Sequence, residues 1–291
     1  MNILFNLARD GVQMRFSSLR EFIASSPNAV EEVKVALEAC RLGVLRNQNG
    51  IIPLDEITIK APLPDTHKLV LLAGNYQEHI REVGFRVPPS AGSITPQFFL
   101  KPASTTVIGP EEPVILSRQN SWVDWEVELA VVFGKRGRDI PEEKALDFVF
   151  GYTILNDISE RKFNQNLTNR FLREKDPFFD WLHGKWFDSF APMGPVIVTR
   201  EEISDPHDLH LTLKHNGIVQ QAGHTSQMLH KIPYLIHKLS QILSIEPGDV
   251  LSTGTPGGVG ISKGILLKAG DELICDIEPI GKLRNTIKLE Y

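Results

Sequence analysis

The segment DWEVELAVVFG, residues 124–134, limits what this chain can fold into more than any other stretch. Asp124, Glu126 and Glu128 alternate with Trp125, Val127 and Leu129, and the alternation then gives way to an apolar run. A period of two is that of a strand, so Glu126 and Glu128 project side by side while the residues between them enter the core. Adjacent carboxylates repel unless a cation or proton lies between them. Their oxygens suit a hard divalent ion, Mg²⁺ or Mn²⁺ before Ca²⁺, because no Cys or paired His stands nearby to favour zinc. The alternative is the solvent-facing side of a half-buried strand.

Similar runs fill the chain on either side. PQFFLKP, DFVFGYTILND, GPVIVT, LHLTLKHNG, DVLSTGTP and DELICDIEPIG are separated by Gly, Pro, Asn and Asp clusters, the punctuation of strands and turns. The expected class is α+β, mainly β, and no strand-helix alternation predicts a dinucleotide-binding sheet. The clearest helix is expected over Ser226 to Leu243, where Met228, Ile232, Leu235, Ile236, Leu239 and Ile242 recur at helical spacing before Pro247-Gly248. Pro62 and Pro64 mark a boundary between a small leading α/β domain, residues 1–65, and a larger, mainly β domain, residues 66–291. The leading part reads as a short strand followed by helices around Ser18 to Ser25 and Val30 to Arg41.

A formal net charge of −5 gives no long-range attraction for polyanions, so no nucleic-acid partner is expected, although a local basic pocket could bind a small anion. Cys40 and Cys275 lie far apart and outside any Cys-x-x-Cys pattern, which argues against a disulfide framework or thiolate metal site. No apolar run reaches membrane-spanning length. The N-terminus has no basic leader, and the expected location is cytoplasmic.

A third acid adds to the pair. DFVFGYTILND is an apolar strand run that ends on Asp157, where the alternative role is a cap for the next turn. GNYQEHIREVG offers His79 and Glu82 three residues apart, close enough to meet on a short helix, where the carboxylate fixes the imidazole tautomer for work as a base. Lys101 in FFLKPAS and Lys185 in HGKWFDSF stand among aromatic and proline residues, where an ammonium could neutralise an enolate or carboxylate. The alternative is a lysine that extends into solvent. PGDVLSTGTPGGVG resembles a phosphate cradle but lacks both the Walker spacing and a GxGxxG before a helix. It leaves a backbone able to approach a ligand, with Gly254 amides and the Thr255 hydroxyl on offer.

In order, AGNYQEHIRE, PQFFLKPASTTVIGP, DWEVELAVV, GYTILNDISER, GKWFDSFAPMGP, NGIVQQAGHTSQM and EPGDVLSTGTPGGVG resemble the motifs of the fumarylacetoacetate hydrolase superfamily over about residues 66–291. The resemblance implies a mixed β-roll catalytic domain, usually a homodimer. It implies that Glu126, Glu128 and Asp157 hold the metal, that His79 and Glu82 form the dyad that positions water, and that Lys185 contacts substrate. Thr255 with Gly254 is then substrate-binding, as is Lys101 more loosely. The chain departs from many relatives in having Lys162-Phe163-Asn164 after the Asp-x-Ser-x-Arg motif, so a glutamine contact is missing or comes from Gln165. Trp186 replaces a commoner serine after the lysine.

The activity implied is metal-dependent hydrolysis of a carbon–carbon bond in a small 2-oxo or 1,3-dioxo acid, of acylpyruvate or fumarylpyruvate type. Relatives that handle the same oxo-acids as decarboxylases, tautomerases or isomerases provide the first alternative. A catalytically silent metal-binding protein is the alternative from another class.

Overall fold

The computed structural model describes residues 18–25, 30–31, 33–35, 56–88, 90–120, 122–165, 167 and 169–290. The chain divides into two units, Met1–Ile59 and Lys60–Tyr291. The boundary read from the prolines, after residue 65, lies just inside the second. In the first unit, α1 (Leu19–Ala24) starts where the Ser18 side chain accepts the Glu21 amide at 3.1 Å, which satisfies one of the free donors of a helix start. The expected leading strand lies outside the described residues, as does most of the expected helix from Val30 to Arg41.

The second unit is mainly β. Its larger sheet has seven strands in the order β2-β1-β12-β6-β7-β9-β3. They are β1 (Leu69–Ala73), β2 (Gln97–Lys101), β3 (Val107–Ile108), β6 (Val127–Phe133), β7 (Val149–Asn156), β9 (Ala191–Thr199) and β12 (Val250–Ser252). A five-stranded sheet runs β11-β10-β13-β14-β4, from β4 (Val114–Leu116), β10 (His210–His215), β11 (Ile218–His224), β13 (Glu272–Ile277) and β14 (Gly281–Leu289). A short pair joins β5 (Val123–Asp124) to β8 (Ser159–Glu160). Both larger sheets are mixed, since β1–β12, β3–β9 and β4–β14 are parallel and the other pairs antiparallel.

β6 and β7 are buried along their whole length. Each has a strand on both sides and a covered surface on both faces, which is why VELAVVF and VFGYTILN are nearly continuous apolar runs. Trp125, Leu129, Val131, Phe133, Tyr152 and Ile154 join Leu211, Leu213 and Cys275 of the other sheet in one core.

Helix α4 (Ile232–Ile242) packs Ile232, Leu235, Ile236 and Leu239 into this core. It begins later than the periodicity suggests. Pro233 has no amide proton to give a helix interior and stands in the first turn, while Met228 instead pairs with Tyr76 in an isolated bridge. The remaining helices that matter below are α2 (Gln77–Glu82), α3 (Asp176–His183) and α5 (Gly260–Lys263). Among the described residues no helix is long and apolar enough to cross a membrane.

Candidate metal centre

The antiparallel register of β6 and β7 sets Val127 opposite Asn156 and Glu128 opposite Leu155. Just past that ladder, Asp157 N donates to Glu126 O at 2.9 Å, and Glu126 N donates to Asn156 Oδ1 at 3.0 Å. The two strand ends are thereby tied together, with their acids on one side. Glu126, Glu128 and Asp157 each offer a carboxylate oxygen within 4.8 Å of the others, and all three are buried. This is the one such group among the described residues.

Their electrostatics are uneven. Burial, with Asp157 and Glu126 close by, pushes the Glu128 carboxyl well above the usual range. Burial also works against Glu126, but Arg161, Lys185 and His79 hold its carboxyl well below that range. Ser252 Oγ and Gly254 N donate to Glu128 Oε2 at 2.5 and 2.9 Å. A buried acid trio of this kind is stabilised by positive charge, and its all-oxygen donor set fits Mg²⁺ or Mn²⁺.

Both expected lysines meet these acids. Lys101 Nζ donates to Asp157 Oδ1 at 2.5 Å, Ile158 O at 3.0 Å and Phe190 O at 2.5 Å. An ammonium has three protons, so all of them are engaged by protein. Lys185 Nζ donates to Asp157 Oδ2 at 2.5 Å and Glu126 Oε2 at 2.8 Å, which leaves one proton free of both carboxylates. The two respond differently to the same burial. Burial, with Lys185 adding to it, pulls Lys101 down to about 8 against the attraction of Asp157 and Glu126, whereas at Lys185 the attraction of Asp157 and Glu126 outweighs burial and raises it.

His79 and Glu82 meet on α2 as expected, with His79 Nδ1 3.0 Å from Glu82 Oε1. His79 Nε2 points back at the acids, 3.7 Å from Glu126 Oε1. Burial opposes ionisation of Glu82, but bonds from His79, the Gly258 amide and Ser262 bring its carboxyl below the usual range. An ionised carboxylate only accepts, so Nδ1 carries a proton toward Glu82 and Nε2 is the ring nitrogen turned toward the trio.

The glycine-rich segment lies against β6 and the acid trio. Thr255 Oγ1 donates to Val127 O at 2.9 Å and accepts from Gln221 Nε2 at 2.8 Å. Gly254 N is already on Glu128. Both residues brace β6. After the Asp-x-Ser-x-Arg motif, Asn164 Nδ2 donates to Asp180 Oδ1 at 3.1 Å, Arg170 also pairs with Asp180, and Gln165 is exposed. Trp186 Nε1 caps the Leu100 carbonyl at 2.8 Å.

Arg161, the last residue of the Asp-x-Ser-x-Arg motif, has a role that the motif alone does not reveal. Its Nε lies 2.6 Å from Asp124 Oδ1 and its Nη2 2.5 Å from Glu126 Oε1, so it holds the outer acid of the alternating segment against a member of the trio. A lone guanidinium a few residues beyond an apolar strand ending in Asp was the available signal. Ser252, Ser262 and Gln221 carried none.

Known proteins resemble this chain over most of its length. Residues 68–288 match a family model described as fumarylacetoacetate (FAA) hydrolase C-terminal. A mitochondrial oxaloacetate tautomerase from Xenopus laevis is 36% identical over 271 residues, 92% of this chain and 78% of that protein. The crystal structure of a 2-hydroxyhepta-2,4-diene-1,7-dioate isomerase from Mycobacterium marinum is similar with a TM-score of 0.68 and 33% identity, covering 84% of this chain and 82% of the other. A maleylpyruvate hydrolase from Sphingobium sp. SYK-6 gives a TM-score of 0.71 and 28% identity, with 94% of this chain and 86% of the other covered.

Proposed function

The chain belongs to the fumarylacetoacetate hydrolase family, and we propose that within it this member is a divalent-cation-dependent tautomerase of a small 2-oxo dicarboxylic acid of the oxaloacetate kind. Enzymes of this family include hydrolases, isomerases and tautomerases, so the family alone does not select the reaction. The observation that carries the reading is the orientation of His79. Its Nε2 stands 3.7 Å from Glu126 Oε1, at the edge of the acid trio, while Glu82 fixes the other nitrogen. One correctly oriented base is what moving a proton between carbon and oxygen requires.

Glu126, Glu128 and Asp157 would hold the cation, with Mg²⁺ or Mn²⁺ preferred by oxygen donors. When bound, such an ion supplies polarisation of a carbonyl, which makes the neighbouring C–H more acidic. The remaining work falls to the chain. His79 Nε2 would take the proton from the carbon beside the carbonyl and hand it to the carbonyl oxygen to give the enol, and would carry it from the enol oxygen back to carbon in the reverse direction. Lys185, kept charged by Asp157 and Glu126, has a proton free to face negative charge that develops on oxygen. Lys101, with its protons engaged, acts on the oxo-acid only through Asp157.

A second reading is the hydrolysis of a carbon–carbon bond, which the likeness to a maleylpyruvate hydrolase favours. His79 would then take its proton from water. The test follows the enol band of oxaloacetate in the presence of Mg²⁺ or Mn²⁺, beside acylpyruvates in ¹⁸O-labelled water. Accelerated enol decay without label in any acid product supports tautomerisation. Cleavage with label incorporated, and no effect on the enol, replaces it with hydrolysis. The oxo-acid and a second copy of the chain are the partners proposed.

A further inference from the structure

The segment after β12 has the glycines of a ligand-binding loop, yet its donors converge on protein carboxylates. Ser252 Oγ and Gly254 N hold Glu128, and Ile261 N donates to Asp124 Oδ2 at 2.7 Å. Gly258 N donates to Glu82 Oε2 at 2.7 Å, Val259 N approaches Glu82 Oε1 at 3.4 Å, and Ser262 Oγ lies 3.0 Å from Glu82 Oε2. The Ser262 hydroxyl also has the Val259 carbonyl within reach at 2.8 Å, so its one proton is shared between a carboxylate and a carbonyl.

The loop itself is held from below. Trp125 Nε1 donates to Gly258 O at 3.3 Å, and Gln221 Nε2 donates to Pro256 O at 2.8 Å. It also passes very close to α2, since a β-carbon on Gly257 would stand 2.5 Å from Glu78 Cγ. Gly258 has φ +104°, a conformation that side chains avoid. These glycines are therefore explained by contact with the helix and by backbone geometry, without any ligand.

We propose that residues 258–262 form a clamp for Glu82, with Ser262 a positioning residue that acts through Glu82 on His79 and so fixes α2 over the acid trio. Glu82 is the only acid of α2 that the clamp grips, and it is the one that fixes the base. An ionised carboxylate that accepts backbone amides and a hydroxyl is held more firmly than a neutral acceptor. The part of this proposal that concerns turnover rests on the tautomerase reading.

The test uses Ser262→Ala, Ser262→Asp and Ser262→Thr in the full chain loaded with Mn²⁺. Amide exchange is read across residues 77–84, together with Mn²⁺ affinity by calorimetry and kcat against KM for oxaloacetate enol. Loss of one such hydrogen bond corresponds to about 2–10-fold. Exchange in 77–84 is expected to rise by about that factor in Ser262→Ala and further in Ser262→Asp, where like charges meet. Ser262→Thr keeps the wild-type exchange and turnover, whereas in Ser262→Ala and Ser262→Asp kcat falls in step with the rise in exchange while KM and Mn²⁺ affinity hold. Unchanged exchange in both Ser262→Ala and Ser262→Asp overturns the clamp. Faster exchange with unaltered kcat overturns its link to His79. If wild-type protein turns over no oxo-acid, the tautomerase reading fails, and exchange alone decides the clamp.

Discussion

Lys101 Nζ lies 2.5 Å from Asp157 Oδ1, and both side chains are essentially removed from solvent, at 0% and 1% exposure. The lysine comes from the edge strand β2 and the aspartate from the end of β7, so a charge pair joins two strands that are not neighbours in the sheet. Removing one member of a buried pair leaves an uncompensated charge, at a cost of about 3–5 kcal/mol. Lys101→Met should fall near the lower end, about 3 kcal/mol, because Lys185 remains on Asp157 Oδ2. Urea denaturation at neutral pH measures it, and a loss below about 1 kcal/mol would mean that the pair contributes no more than a surface ion pair.

The acid trio makes cation binding the second expectation. Even a partner behind the ligands costs about 10–100-fold in affinity when lost, so Glu128→Gln and Asp157→Asn should each weaken Mg²⁺ or Mn²⁺ binding by on the order of 100-fold or more. Chelation should abolish turnover, and either ion should restore it. Calorimetry on the variants separates this from a loss of fold. Undiminished binding in both would remove these residues from the ligand set.

His79→Ala should leave cation affinity near wild type while kcat falls by about 10²–10⁴-fold, the usual contribution of a positioned general base. The Nε2 atom lies 3.7 Å from Glu126 but the ring is otherwise held by Glu82, so the trio survives its removal. A variant that keeps its kcat while binding the cation would show that the proton moves by another group.

His207 gives the fold an acid limit away from the site. Its Nε2 accepts the Ile232 amide at 3.1 Å, capping α4, and Asp205 approaches Nδ1 at 3.2 Å. Burial lowers its pKa below the ordinary histidine value, with Lys231 adding to the effect and Asp205 opposing it. The unfolded chain therefore binds this proton more readily. The contribution is complete above the unfolded value of about 6.5 and is lost as pH falls from there through the lower folded value. His207→Ala should lose about 1 kcal/mol at pH 8, as capping losses do, and should flatten the decline in stability below pH of about 6.5. Denaturation midpoints measured across that range check both effects, and an unchanged acid slope would assign the decline to other groups.

Some of this protein was determined by short-range pattern alone. The alternation at Glu126 and Glu128 is a consequence of strand geometry, and the three-residue spacing of His79 and Glu82 is a consequence of helix geometry. Each pair is brought together by a few consecutive backbone angles, so neighbours in sequence suffice to specify it. The β-rich runs likewise carried the fold class, because strands buried on both faces require apolar residues throughout. The start of α4 departs from the apolar spacing, which extends back to Met228, because Pro233 has no amide for a helix interior and belongs in the first turn.

What the tertiary structure decided is where each polar group finds its partner. Lys101 and Lys185 look alike in sequence, but one has every proton taken by Asp157 and two carbonyls while the other bridges Asp157 and Glu126. Gly254 and Gly258 could equally have served an anionic ligand or a carboxylate of the protein itself. Their amides turn to Glu128 and Glu82 because the chain brings those acids to them across more than a hundred residues of sequence. A buried donor must be matched, yet nothing in its own neighbourhood of sequence names the acceptor.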